Sequence, residues 1–171
     1  MNTGDTETIK TGEKTLNGYI ASPASVSGLL GQIMTVTDVD VRQQAALLLK
    51  KKINKHFKAF DKGTQENIKA TLIQLITAEP ERRVRSGIAG VIACLSKIAL
   101  KYGAGAWMEI FSLLTTLSQH IDSSYRSLCF VLLTELAESV AGVLKPHTST
   151  IAHFIISGCQ DSEPLVARYF R

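Results

Sequence analysis

The side chains best able to do chemistry in this sequence are few and scattered. His147 and His153 are the one histidine pair near metal-ligand spacing, and no carboxylate neighbours them. They lack the ligand set that a zinc site needs. His56 stands alone, and His120 and His147 fall where helix ends or loops are expected. Glu135 and Glu138 share one helix face. Two acids so placed could act as acid and base, but such pairs are common on solvated helices and need no such role. Cys94, Cys129 and Cys159 are far apart, lie in apolar stretches and form no CxxC or Cys/His cluster. They read as buried, reduced thiols of an intracellular chain. The patterns GxSxG, HExxH, GxxxxGK[ST] and GxGxxG do not occur. The chain therefore reads as no enzyme, with no catalytic residue, metal or cofactor.

Charge is the next source of function. The net charge is +4, unevenly spread. Arg42, Lys50, Lys51, Lys52, Lys55, Lys58 and Lys62 face a single acid, Asp61, over the same stretch, and the remainder is slightly acidic. A basic helix can meet nucleic acid or an acidic surface. This one has no interleaved exposed aromatics on which bases could stack, so a solvated outer helix face is the preferred reading.

The elements that carry these residues are helices. The composition is 45% hydrophobic and 20% charged, which is that of a folded chain. Its four prolines, Pro23, Pro80, Pro146 and Pro164, stand where helices could begin. The first residues, Met1 to Gly4, are polar and read as mobile. There is no signal-peptide apolar region and no apolar run long enough to cross a bilayer.

Internal repetition is the most informative feature. Asp38-Val39-Asp40-Val41-Arg42, Glu81-Arg82-Arg83-Val84-Arg85, Asp122-Ser123-Ser124-Tyr125-Arg126 and Glu163-Pro164-Leu165-Val166-Ala167 are similar helix-opening phrases. Arg42 to Arg85 is 43 positions and Arg85 to Arg126 is 41. The acid stands near a helix N-terminus, where the dipole favours negative charge. The apolar residue starts a stripe, and the arginine can turn toward an acid of its own or the neighbouring repeat. Stripes of period 3.6 follow. One runs from Val41 through Ala45, Leu48, Leu49, Ile53 and Phe57; another from Val84 through Ile88, Val91, Ile92, Leu95, Ile98 and Tyr102; a third from Tyr125 through Cys129, Leu132, Leu136 and Val140.

Second helices carry Val26, Leu29, Leu30, Ile33 and Met34; Ile68, Leu72, Leu75 and Ile76; Trp107, Ile110, Phe111, Leu114 and Leu117; and Ile151 with Ile155. Ser22-Pro23 reads as an N-cap followed by proline at the first helical position. Trp107 reads as a packing anchor, and Gly103 and Gly105 as the preceding turn. Ala45, Ala46, Ala89, Gly90 and Ala93 would let first helices approach closely.

The fold class is therefore all-α: a right-handed α-solenoid of antiparallel helix pairs (HEAT repeats), about four repeats plus the start of a fifth. The approximate repeats are 5–36, 38–77, 81–118, 122–159 and a partial 161–171. With no polar cap after Arg171, the array reads as a piece of a longer solenoid. The other reading is a small protein that dimerises through an open end.

Three stretches carry a family resemblance. Val41-Arg42-Gln43-Gln44-Ala45-Ala46-Leu47-Leu48-Leu49-Lys50-Lys51-Lys52-Ile53 resembles a first helix of the importin-β (karyopherin-β) superfamily, V-R-Q-x-A-[AS]-[VL]-x-L-[KR]-[NKR]-x-[IL]. Ala106-Trp107-Met108-Glu109-Ile110-Phe111-Ser112-Leu113-Leu114 is similar to its W-P-E-L-x-x-x-L phrase, with Met108 in place of proline. Ile9-Lys10 with Glu13-Lys14-Thr15-Leu16 resembles I-R-x-A-E-x-x-L, with Gly12 where alanine is usual. Their order matches the N-terminal end of that family, and the subgroup carrying ribosomal proteins and histones is nearest.

The resemblance implies a nuclear transport receptor that shuttles between cytoplasm and nucleus. Its N-terminal repeats would bind the small GTPase Ran in its GTP form through second helices. Protein cargo and nucleoporins would engage the full-length protein farther along. Carried over to second-helix positions outside the stripes, the Ran surface would comprise Ser27, Gly31, Gln32, Glu66, Asn67, Ala70, Gln74, Glu109 and Ser112. Two other readings share the fold. One is a different HEAT scaffold, phosphatase-scaffold-like or microtubule-associated. The other is a nucleic-acid-binding helical-repeat protein, whose binding through Lys50 to Lys58 would fall steeply with salt.

Overall fold

A computed structural model of the chain describes residues 3–100 and 107–170. The described elements are helical: α1 (Thr3–Ala21), α2 (Ala24–Thr35), α3 (Val39–His56), α4 (Lys62–Ala78), α5 (Arg82–Ala99), α6 (Glu109–Ser118), α7 (Ser123–Leu144), α8 (Thr148–Cys159) and the short α9 (Pro164–Ala167). Short 3-10 turns follow α3, α7 and α9. Thr3 and Gly4 begin α1; Met1 and Asn2 lie outside the described residues.

Capping explains several boundaries. The Asp38 carboxylate accepts from Asp40 N at 2.8 Å and Val41 N at 3.1 Å. Asp61 accepts from Thr64 N at 3.0 Å, and Asp122 from Ser124 N at 2.7 Å. Each satisfies amide hydrogens that a helix start leaves free. Glu81 and Glu163 hold the same position without a side-chain cap. Pro23 is itself the N-cap of α2, and Ser22 contributes only a carbonyl, to the Ser25 hydroxyl at 2.7 Å.

From α3 onward the odd-numbered helices form one layer, α3 on α5, α5 on α7 and α7 on α9, while α2, α4, α6 and α8 each pack against the helix that follows. This is an all-α, HEAT-type solenoid. Within the layer α5 and α7 have neighbours on both sides, and one core runs through the array. Leu49, Ile53, Ile88, Ile92, Leu95, Leu114 and Leu136 are fully buried; burying such a side chain contributes about 1.5–3 kcal/mol. Trp107 is 1% exposed and anchors the start of α6, as its position predicts.

Three arginines stitch the layer. Arg42 Nη1 donates to Val36 O at 3.0 Å and Thr37 O at 2.8 Å, and its Nε and Nη2 clasp the Glu79 carboxylate at 3.2 and 3.0 Å. Arg126 Nη1 donates to His120 O and Ile121 O, both at 2.9 Å, and its Nε and Nη2 clasp Asp161 at 2.7 and 3.0 Å. Arg85 Nη1 donates to Glu79 O at 2.8 Å and Pro80 O at 2.6 Å, and its Nη2 donates to Ser124 Oγ at 2.6 Å. Each thus binds two carbonyls before its own helix; Arg42 and Arg126 also reach the loop before the next helix of the layer, and Arg85 reaches the first turn of α7. The clasped acids are Glu79 and Asp161, two positions before the phrase acids Glu81 and Glu163.

Other stripe expectations need correcting. Val41 is 42% exposed, Met34 60% and Ile155 43%. In α2 the adjacent Ile33 takes the core position, and in α8 Phe154 does. Leu48, Leu75, Ile98, Phe111 and Ile151 are only half-buried. Of the thiols only Cys129 is fully buried; Cys94 is half-buried and Cys159 exposed. Tyr102, Gly103, Gly105 and Ala106, and the side chains of Ile9, Glu13, Leu16 and Val140, lie outside the described residues.

Candidate functional site

The candidate surface lies on α2, α4 and α6. Eight of its nine residues are exposed: Ser27 and Gln32 on α2; Glu66, Asn67, Ala70 and Gln74 on α4; Glu109 and Ser112 on α6. Gly31 is half-buried. On α4 the buried residues Ile68, Leu72 and Ile76 repeat at intervals of four. Asn67, Ala70 and Gln74 recur at spacings of three and four, so they share a helix face away from that stripe.

The local chemistry holds α4 firmly. Thr64 Oγ1 donates to Asp61 at 2.6 Å, and Gln65 Nε2 donates to Phe60 O at 2.8 Å and Phe57 O at 3.3 Å. These bonds fasten the turn to the first coil of the helix. Hydrogen bonds from the Thr64 side chain and then its backbone hold the Asp61 carboxyl below its ordinary value.

Glu66 is not a free charge. Its Oε2 lies 2.7 Å from Nζ of Lys69, one turn on, and the Lys69 side chain is only 7% exposed. Both line a cavity of about 660 Å³ with Lys58, Lys62, Gln65 and Ile98. Glu66 is thus the one carboxylate among three lysines. Glu109, in the first turn of α6, has no ion pair among the described residues. Beside it α6 is fastened to the turn before α8, where Phe111 stacks on His147 with centroids 4.0 Å apart.

The even-numbered helices and their flanks also expose apolar side chains that the repeat pattern put in the core or did not single out. Met34 on α2, Met108 before α6, and Ile155 and Ile156 on α8 are all exposed. One sequence signal for the last was available: adjacent isoleucines in a two-layer helix cannot both face the core. A surface of amides, hydroxyls, one free carboxylate and thioethers can bind a protein partner by shape and hydrogen bonding. Among the described residues no three His, Cys, Asp or Glu side chains converge on a possible metal site, and no helix is long and apolar enough to cross a membrane.

Comparison with known proteins adds three relationships. Residues 12–78, from the second half of α1 to the end of α4, match the importin-beta N-terminal domain. A probable importin subunit beta-4 of Schizosaccharomyces pombe is 30% identical over 122 residues, covering 71% of this chain and 11% of the relative. Importin-4 of Mus musculus and of Homo sapiens are 23% and 24% identical over 143 residues, covering 84% of this chain and 13% of each relative. The chain thus spans about a tenth of the length of these relatives.

Proposed function

Because this chain belongs to the importin-β superfamily, through the N-terminal domain it carries, we propose that it is the N-terminal segment of a nuclear transport receptor that binds GTP-loaded Ran. The observation that carries the reading is the N-terminal domain match over residues 12–78, which includes α2 and α4. Those helices present Ser27, Gln32, Glu66, Asn67, Ala70 and Gln74 to solvent, with Gly31 half-covered, and α6 extends the face through Glu109 and Ser112. The mechanism is reversible protein binding. Ran and cargo would each change the other's affinity for the array, a reciprocal coupling that involves no bond chemistry. Cargo and nucleoporins would bind the longer protein, which would shuttle between cytoplasm and nucleus.

The test is binding of the purified chain to Ran loaded with a non-hydrolysable GTP analogue, against GDP-loaded Ran. Preference for the GTP form supports the reading. A folded chain that binds neither form removes the nine-residue surface as the Ran site. The same measurement on the full-length protein then separates a transport receptor from another HEAT scaffold.

A further inference from the structure

The three arginines of the layer are not equivalent. Arg42 and Arg126 each turn Nε and Nη2 onto a carboxylate, Glu79 and Asp161. Arg85, only 3% exposed, does not; no ion pair among the described residues includes it. The position that should supply its acid is occupied by His120, which follows Glu79 by 41 residues and precedes Asp161 by 41. His120 keeps the local role of that position. Its Nδ1 accepts from Asp122 N at 3.0 Å, as Glu79 accepts from Glu81 N at 2.9 Å and Asp161 from Glu163 N at 3.0 Å. It brings no negative charge, and its ring stacks instead on Tyr125 at 4.2 Å. The Arg85 guanidinium covers Tyr125 at 4.0 Å and donates to the Glu79 and Pro80 carbonyls, and where its counterparts clasp a carboxylate it meets the hydroxyl of Ser124. The carboxylate that feels its charge, Asp122, is exposed and engaged with Ser124 at the start of α7.

A buried cation with no carboxylate in contact is costly unless something compensates it. Arg85 opens onto a cavity of about 130 Å³ between α5, α7 and the turn after α9. Arg82 and Arg168 line the same cavity with Ser86, Ser124 and Ser127, and no carboxylate among the described residues does. Arg168 spends its guanidinium on the neighbouring Tyr169 hydroxyl at 3.2 Å, and Arg82 makes no ion pair among the described residues. Three guanidiniums around hydroxyl groups suit a tetrahedral oxyanion, because planar N–H forks match its oxygens. The size suits a single phosphoryl group.

We propose that this cavity binds a phosphoryl group, which supplies to Arg85 the negative charge that Glu79 supplies to Arg42 and Asp161 to Arg126. The phosphoryl group could be carried by a phosphorylated side chain or be free phosphate; the chemistry of recognition is shared. It enters from the side of the first helices, through Arg82 and Arg168, away from the α2–α4–α6 surface, so the proposal stands independently of Ran binding.

Calorimetric titration of the protein with inorganic phosphate and with O-phosphoserine, at constant ionic strength against chloride, tests it. One saturable site is expected. Arg82→Gln and Arg168→Gln, both at exposed positions, each weaken it by about tenfold, the scale of a lost charge-assisted contact. His120→Asp retains an acceptor for Asp122 N and puts a carboxylate at the position from which Glu79 and Asp161 clasp Arg42 and Arg126. It weakens phosphate binding by at least about tenfold on the same scale and raises the melting temperature without phosphate. Tighter binding of O-phosphoserine identifies a phosphorylated side chain as the ligand, and tighter binding of inorganic phosphate identifies the free ion. Absence of saturable binding, or binding that His120→Asp leaves unchanged, overturns the proposal. Since neither depends on replacing Arg85, a failure of an Arg85 variant to fold does not obscure the result.

Discussion

Gly87 of α5 faces Ala46 of α3 so closely that a Cβ built on the glycine would stand 2.8 Å from the alanine methyl. Both residues are buried where the two helices of the layer cross, and neither neighbour is a flexible chain end. Gly87→Ala gains about 1 kcal/mol of helix propensity but forces the helices apart, an overpacking cost of about 1–3 kcal/mol. The net expectation is destabilisation. Gly90→Ala meets the Lys50 side chain at 3.0 Å, which can swing away, and should be neutral or stabilising. Urea midpoints for both variants and for Ala46→Gly/Gly87→Ala check this. The double variant should recover much of the loss, and equal stability of the two single variants would contradict the packing argument.

The Arg126–Asp161 clasp makes stability depend on pH. The hydrogen bond from Arg126 is the leading cause that holds the Asp161 carboxyl below its ordinary value. A group whose folded pKa is depressed stabilises the fold above its unfolded pKa. It loses that contribution as pH falls through the folded value. Asp161→Asn should therefore be less stable than the parent at pH 7, by about 1–2 kcal/mol after screening. The difference should shrink below pH 4, the ordinary carboxylate range. Chemical unfolding of both proteins from pH 7 to pH 3 measures it. A difference that stays constant across that range would assign the loss to shape and not to charge.

Thiol reactivity should follow burial. Desolvation pushes the Cys129 thiol up to about 12, and its Sγ lies 3.4 Å from Leu114 O in the core. Cys159 is exposed at the end of α8. The thiolate is the reactive form, so iodoacetamide at pH 8 should alkylate Cys159 first and Cys129 only on unfolding. Peptide mass mapping over time reads the order. Labelling of Cys129 at the rate of Cys159 would mean that α7 opens locally.

Much of this arrangement is legible in the sequence because it is periodic. The Asp38 and Asp122 caps, the arginines at 42, 85 and 126, and the buried Trp107 all follow from repeated phrases and a 3.6-residue stripe. The misses have physical causes. Val41 and Met34 are apolar residues at stripe edges, where one step of helix rotation decides between core and solvent. Glu79 and Asp161 lie outside the phrase, in loops that only packing brings to the arginine of the preceding repeat. Gly87 reads in sequence as a weak point of a helix, and its purpose appears only when α3 is placed against it. On α4, exposure of Glu66 follows from the pattern, but its pairing with Lys69 depends on how far the lysine is buried.

That pairing sets apart the two acids of the proposed Ran surface. Glu66 is bound to the buried ammonium of Lys69 at 2.7 Å, so Glu66→Lys would place two cations together and disturb α4 itself. Glu109 is exposed and has no ion pair among the described residues, so Glu109→Lys changes surface charge with little effect on folding. If Ran meets this face, Glu109→Lys should weaken binding of its GTP form about three- to tenfold, the scale of a rim charge whose loss acts largely through association. The effect should fade as salt rises. Glu66→Lys should weaken binding and also lower the melting temperature, and Glu66→Gln should do each to a smaller extent. Association rates and melting curves for the three variants separate the two effects. Unaltered Ran binding by Glu109→Lys at low salt would remove α6 from the surface and confine it to α2 and α4.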